Sequence, residues 1–298
     1  MNRLAPLRSR KGFTLVEILV AMTVLALMMT GLAAIMSFVS KTWLAGINIV
    51  DNFSKARVML NLLDRDIQQM VMRRDVAAFV DASGNPACAF YTRVQGNQGS
   101  ATTDPRNLSL VQYALNPLSS PSSTSVLQRT ELGLFFTGGT MSMGYPLPSP
   151  ATLPTTTFTG TSQANQTENV GNGVIAFQWQ FVDGTGAIQS NSGSTNAYSY
   201  TFTYPAAPAN SRAVIVSLLV MSNNAYTFAG NTGNLVTLSG LFPTTNPSGQ
   251  TYAQVWNAIL NGSSPAYSAL PAPLRASGSI LVFQRYIPLP ITAPSSSS

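Results

Sequence analysis

The sequence predicts an α+β fold, a long amino-terminal helix packed on a β-rich carboxy-terminal body. Three observations carry this reading. Ile18–Ser40 is a run of 23 residues without a charge. From Ile49 to Met70 apolar residues recur at helical spacing. Beyond residue 84 the chain turns to short runs rich in Val, Ile, Phe and Tyr, separated by Gly, Pro, Ser, Thr and Asn.

The first element is the charge-free run. At 1.5 Å per residue it is long enough to cross a hydrocarbon core of about 30 Å as a helix. Arg3, Arg8, Arg10 and Lys11 precede it, so the amino terminus is expected to stay in the cytoplasm and the remainder to be exported. A secretory signal has a shorter apolar region followed by a small-residue cleavage site. Here the small residue, Gly12, stands before the run. Glu17 breaks the apolar pattern near the start of the span, where a carboxylate is costly. Two readings stay open for it. It lies shallow among headgroups, or it has a partner. If the chain is cut after Gly12, Phe13 carries a new α-amine one helical turn from Glu17, and the two charges can neutralise each other within a chain or between neighbours.

Lys11-Gly12-Phe13-Thr14-Leu15-Val16-Glu17 resembles the cleavage and methylation motif of type IV pilins and type II secretion pseudopilins. The resemblance implies cleavage after Gly12 by prepilin peptidase, an N-methylated Phe13, and Glu17 as the assembly carboxylate. It also implies a pilin-like body and other pilin or pseudopilin subunits as partners. In such a filament the helices pack side by side, and a buried Glu17 needs a cation because an unpaired buried charge costs several kcal/mol. The neighbour's amine would supply it.

The second element is an amphipathic continuation over residues 41–83. Ile49, Phe53, Ala56, Leu60, Leu63, Ile67 and Met70 make one stripe, and Asp51, Lys55, Arg57, Asp64, Arg65 and Gln68 fill the other positions. A helix laid on a sheet is expected rather than a coiled coil, because β-type sequence follows. The helix is expected to end near Ala78–Ser83, before Gly84-Asn85-Pro86. Gly31 and Gly46 mark possible weak points. Arg73-Arg74-Asp75 reads as a solvated helix end, with docking to a partner subunit as the alternative.

The body, residues 84–292, is expected to hold strands at Cys88–Val94, Leu108–Leu115, Val126–Thr130, Val174–Val182, Tyr198–Tyr204, Arg212–Met221 and Ile280–Tyr286. Residues 143–167 read as a surface insertion. Tyr252, Val255, Trp256, Ile259 and Leu260 share a helical face that Asn261-Gly262 ends. Residues 293–298 are expected to be disordered. The order of these pieces is similar to that of large J-type minor pseudopilins and W-type minor pilins. Ser40-Lys41-Thr42-Trp43 and Phe53-Ser54-Lys55-Ala56-Arg57 look similar to prepilin-like proteins of the Verru_Chthon cassette. These branches stay open.

Composition limits the chemistry. Only 9% of the 298 residues are charged, against about 25% in an average soluble protein. Histidine is absent and Cys88 is the only cysteine, which removes Ser-His, Cys-His and His-metal sites, an intrachain disulfide and Cys-cluster metals. The net charge of +6 invites a nucleic-acid reading, but four of the sixteen basic residues lie in the first eleven positions. No later run approaches a phosphate-binding stripe, so no nucleic-acid partner is expected. Asp64 and Asp66, two apart, face different sides of a helix and make no catalytic dyad. Cys88 reads as a buried, inert thiol. Asp183-Gly184-Thr185-Gly186 reads as a β-turn, since one carboxylate is too few for calcium. Gly138-Gly139 and Gly171-Asn172-Gly173 read as turns.

The expected role is therefore structural, with no catalytic residues, cofactor or metal. The chain is read as a minor pilin or pseudopilin subunit with a cytoplasmic leader (1–12), an assembly helix (13–40) in the bacterial inner membrane, and a periplasmic body. It builds into or caps a filament. The alternative is a filament-tip or membrane-anchored surface-binding module.

Overall fold

A computed structural model describes residues 14–71, 77–81, 87–94, 96–98, 102–106, 109–115, 125–133, 167–188, 198–201, 212–233, 235–243 and 249–289. Contacts divide the chain into two units, residues 1–47 and 48–298.

The first unit holds the amino-terminal part of helix α1, Leu15–Gln68. The helix runs without interruption through Gly31 and Gly46. Its apolar side chains are uncovered here: Leu25 is 57% exposed, Phe38 71% and Trp43 71%.

The second unit opens with the last third of the same helix. Ala56, Met59, Leu60, Leu63 and Ile67 are buried on it. The described residues of the body form eleven strands, β1 Ala77–Asp81, β2 Ala87–Thr92, β3 Gly96–Gln98, β4 Thr102–Arg106, β5 Ser109–Leu115, β6 Val126–Gly133, β7 Thr167–Asn172, β8 Val174–Val182, β9 Tyr198–Thr201, β10 Ala213–Met221 and β11 Ile280–Pro288, and side chains of β2, β5, β6, β8, β10 and β11 share a core with the helix. Six make an antiparallel sheet in the order β7-β6-β5-β2-β1-β9, three make a second in the order β11-β10-β8, and β3 pairs with β4. The helix rests on residues from both larger sheets. Phe90 and Tyr113 of the first and Trp179 and Phe181 of the second touch through ring centroids 5.7–6.4 Å apart, stacked except for the tilted Trp179–Phe181 pair. A Cβ at Gly171 would run into the Met59 side chain, so this glycine lets β7 approach the helix closely.

The three-stranded sheet is covered on its other face as well. Helices α2 Asn223–Asn231, α3 Leu235–Leu241 and α4 Tyr252–Leu260, with two short 3-10 turns, pack Tyr252, Trp256, Ile259 and Leu274 over Ile175, Leu219, Met221 and Ile280. Burial on both faces explains why Val174–Val182 and Ala213–Met221 read as near-continuous apolar runs rather than alternating ones. Gly173 turns β7 into β8 at φ +78°, where a Cβ would lie 2.7 Å from the Met221 carbonyl oxygen. A side chain is excluded there both by backbone conformation and by space.

Helix α4 follows its sequence signals. Thr251 and Gln254 form a reciprocal capping box, and Gly262 takes a positive φ just past the Asn261 cap. Helices α2 and α3 carry weaker periodicity and were not expected from sequence. Neither were β1, β3, β4 and β7.

One boundary is corrected. The first helix ends at Gln68, not near Ala78–Ser83, and Ala77–Asp81 is a strand paired with β2 and β9. Tertiary pairing overrides the local helical reading, and Ala77-Ala78-Phe79-Val80 fits either state. The buried stripe is also rotated from the expected one. Ile49 and Phe53 stay exposed, while Asn48, Asn52 and Asp66 are buried. Arg73-Arg74-Asp75, Gly138-Gly139 and residues 293–298 lie outside the described residues, as do residues 143–166.

Candidate functional site

The candidate site is the start of α1. Thr14 precedes the helix, and its side chain accepts a hydrogen bond from the Glu17 backbone N–H at 3.2 Å. Glu17 reaches back: its Oε2 accepts from the Thr14 backbone N–H at 2.9 Å and from the Thr14 hydroxyl at 3.1 Å. The Thr-x-x-Glu spacing is a capping box, in which the carboxylate also favours the positive end of the helix dipole. Glu17 thus has a local role that the sequence reading did not include. Oε2 serves the cap, and among the described residues Oε1 accepts no hydrogen bond. Gly12 and Phe13 lie outside the described residues.

Downstream of the cap the helix has the composition of a membrane span, with a mean hydropathy of 2.4 over its most apolar stretch, none of which is buried. Ile18, Ala21, Met22 and Leu25 form an apolar groove beside Glu17. An uncovered apolar surface of this length is stable only in lipid or against other apolar helices.

A second constellation fixes the other end of the helix. Asp66 is fully buried, and its Oδ2 accepts from the Tyr113 hydroxyl at 2.6 Å and from Arg129 Nε at 2.7 Å. Arg129 Nη1 donates onward to Glu131 at 2.6 Å, while Arg65 reaches the other Asp66 oxygen from the surface. Tyr113 and Arg129 are direct partners across β5 and β6. Burial pushes the Tyr113 hydroxyl well above its ordinary range, and the neighbouring Asp66 carboxylate pushes it further. Burial disfavours the charged form of Arg129, but its bonds to Asp66 and Glu131 hold it protonated. The group is buried and joined by short charge-assisted bonds, with Arg129 Nη2 left without a partner among the described residues, and it suits a structural lock rather than a reacting centre. Sequence reading missed it. The available signal was parity: Arg129 falls in register with inward-facing Leu127.

Asp64 and Asp66 do face different surroundings, since Asp64 pairs with Arg285 of β11 at the surface. Cys88 is buried, and burial raises its thiol well above the ordinary cysteine value, as expected of an inert thiol. Asp183 makes a turn. Its Oδ1 accepts from the Thr185 N–H and hydroxyl and from the Ala187 N–H, bonds that lower its pKa. Among the described residues no group of three or more Cys, Asp or Glu converges on a possible metal position.

Residues 7–33 match the prokaryotic N-terminal methylation motif. No curated protein matches the chain. Among solved structures, a type IV-like pilin from Thermus thermophilus aligns with 12% identity and a TM-score of 0.37, covering 80% of this chain and 95% of that one. The motif match covers the start of α1, including Glu17 and the first part of the apolar run.

Proposed function

We propose that this chain, with a prokaryotic N-terminal methylation motif at residues 7–33, is a minor pilin or pseudopilin. It is made as a single-pass membrane precursor with its amino terminus in the cytoplasm. Prepilin peptidase cuts it after Gly12 and methylates Phe13. The helix then passes from lipid into the apolar core of a periplasmic or surface filament, where it packs against other subunits. The body faces neighbouring subunits or exported cargo. No catalytic step is assigned to it.

The observation that supports this best is the joint placement of motif and helix. The motif sits on the end of an α-helix whose apolar side chains, from Leu15 to Trp43, have no cover of their own. Glu17 stands at its cap with one oxygen available for the amine of a processed neighbour.

The test is Glu17→Ala in cells carrying the matching assembly machinery. Membrane insertion should persist, because the apolar span is unchanged. Incorporation into filaments should fall at least about tenfold, since a desolvated ion pair is lost. Equal incorporation of the variant and the parent would overturn the role given to Glu17.

A further inference from the structure

A cleft of about 250 Å³ opens between the end of α4, the two 3-10 turns and the start of β11. Its floor is apolar, including Leu274 and Ile280, and its rim carries Asn257, Asn261, Tyr267, Arg275 and Ser277. The arginine is held in place. Arg275 Nε donates to the Leu270 carbonyl and Nη2 to the Ser268 carbonyl, each at 2.7 Å. Its guanidinium carbon lies 5.1 Å from the centre of the Tyr267 ring. The ring is backed by Gly262, where a Cβ would sit 3.7 Å from it.

A guanidinium has five N–H donors. Two of Arg275's serve the backbone carbonyls. The three that remain include the parallel pair at the Nη1–Nη2 end, which matches the two oxygens of a carboxylate. No acidic residue lines the cleft. Elsewhere in the body Lys55, Arg129 and Arg285 each have a carboxylate partner. Arg275 has none among the described residues, and two backbone carbonyls and the Tyr267 ring hold its otherwise exposed side chain. Because the side chain is already ordered, capturing an anion costs it little further conformational entropy.

We propose that this cleft binds a carboxylate on a small polyhydroxylated molecule, of the uronic-acid class. The Arg275 fork holds the carboxylate, and the Asn257 and Asn261 amides with the Ser277 hydroxyl take the flanking hydroxyls. The volume of about 250 Å³ lies just below the usual range of small-molecule sites, which suits one sugar ring rather than a long chain. The inference is independent of filament assembly, because every residue in it belongs to the body.

The test uses the full chain in detergent micelles and calorimetric titration with four probes: glucuronate, glucuronamide, glucose and N-acetylalanine. Glucuronate should bind at least about tenfold more tightly than its neutral amide or glucose, the difference expected for a charge-assisted bidentate pair. That contrast is read on the unmodified protein, so folding of a variant does not enter. Arg275→Gln should reduce glucuronate binding to the level of the amide, and Asn257→Ala should weaken it severalfold with the body fold unchanged. Binding of N-acetylalanine in place of glucuronate would keep the carboxylate site and assign it to a peptide terminus. Equal affinity for glucuronate and glucuronamide, or saturation by no probe at about 10 mM, would overturn the proposal.

Discussion

The two parts of helix α1 differ in what covers them. Between Leu15 and Ile47 large apolar residues face outward: Leu25 is 57% exposed and Leu32 59%. Between Asn48 and Gln68 the apolar residues Met59, Leu63 and Ile67 are fully buried, and so are the polar residues Asn52 and Asp66. The first part has apolar surface without cover, and the second has polar groups without water. Each departs from the usual arrangement for a reason. Uncovered apolar surface calls for partners outside the chain, whether lipid or other helices. Buried polar groups need specific internal partners, and those partners fix how the helix sits on its sheets.

The largest test of this contrast is Asp66→Ala. It leaves Arg129 and the Tyr113 hydroxyl buried without their common acceptor. The body should lose about 3–5 kcal/mol, the range for removing one partner of a buried ion pair. Denaturant unfolding of the full chain in detergent, followed by the fluorescence of buried Trp179 and Trp256, would measure it. Membrane insertion should be unaffected, because the change lies outside the span.

A matched pair of leucines sharpens the comparison. Leu63 is fully buried, whereas Leu25 is 57% exposed. Leu63→Ala should destabilise the body by about 2–5 kcal/mol. Leu25→Ala should shift body unfolding by less than about 0.5 kcal/mol, and its effect should show only in filament yield. Similar unfolding losses for both would mean that the first part of the helix is not free for outside partners.

At neutral pH the remaining effect is silent, and it emerges only in alkali. Tyr113 and Cys88 both have folded pKa values above their ordinary ones, 10.0 and 9.0, mainly through burial. For a raised pKa, stability is fully present below the unfolded value and is lost as pH rises past it. Unfolding free energy should thus decline from near pH 9, at up to about 1.4 kcal/mol per pH unit for each group that ionises only on unfolding. Cys88→Ala should remove the earlier part of that decline. A flat profile from pH 8 to 11 would contradict the burial of both groups.

The first part of the helix was legible because its signals are local. A charge-free run, a glycine before it and a glutamate five residues after that glycine are read directly from the string. The strands at Val174–Val182 and Ala213–Met221 were legible for a similar reason, since burial on both faces leaves long apolar runs. The second part was harder. Periodicity identified a helix on a sheet but put Phe53 on the buried stripe and left Asn52 and Asp66 off it. Their partners are Gly278 and Arg129, distant in sequence. The carboxy-terminal end of the helix failed for the same reason, since Ala77–Asp81 becomes a strand only by pairing with β2 and β9. The capping role of Glu17 was present as Thr-x-x-Glu spacing but was hidden beside the stronger membrane signal.

The most direct test of the filament account is the chemistry of the amino terminus. Protein recovered from membranes, with and without prepilin peptidase, should be analysed by intact mass and terminal sequencing. The account predicts that with the peptidase the chain begins at an N-methylated Phe13, and that without it the chain keeps its leader. A chain that still begins at Met1 in the presence of active peptidase would contradict it, reducing the first part of the helix to an anchor and leaving Glu17 only its cap.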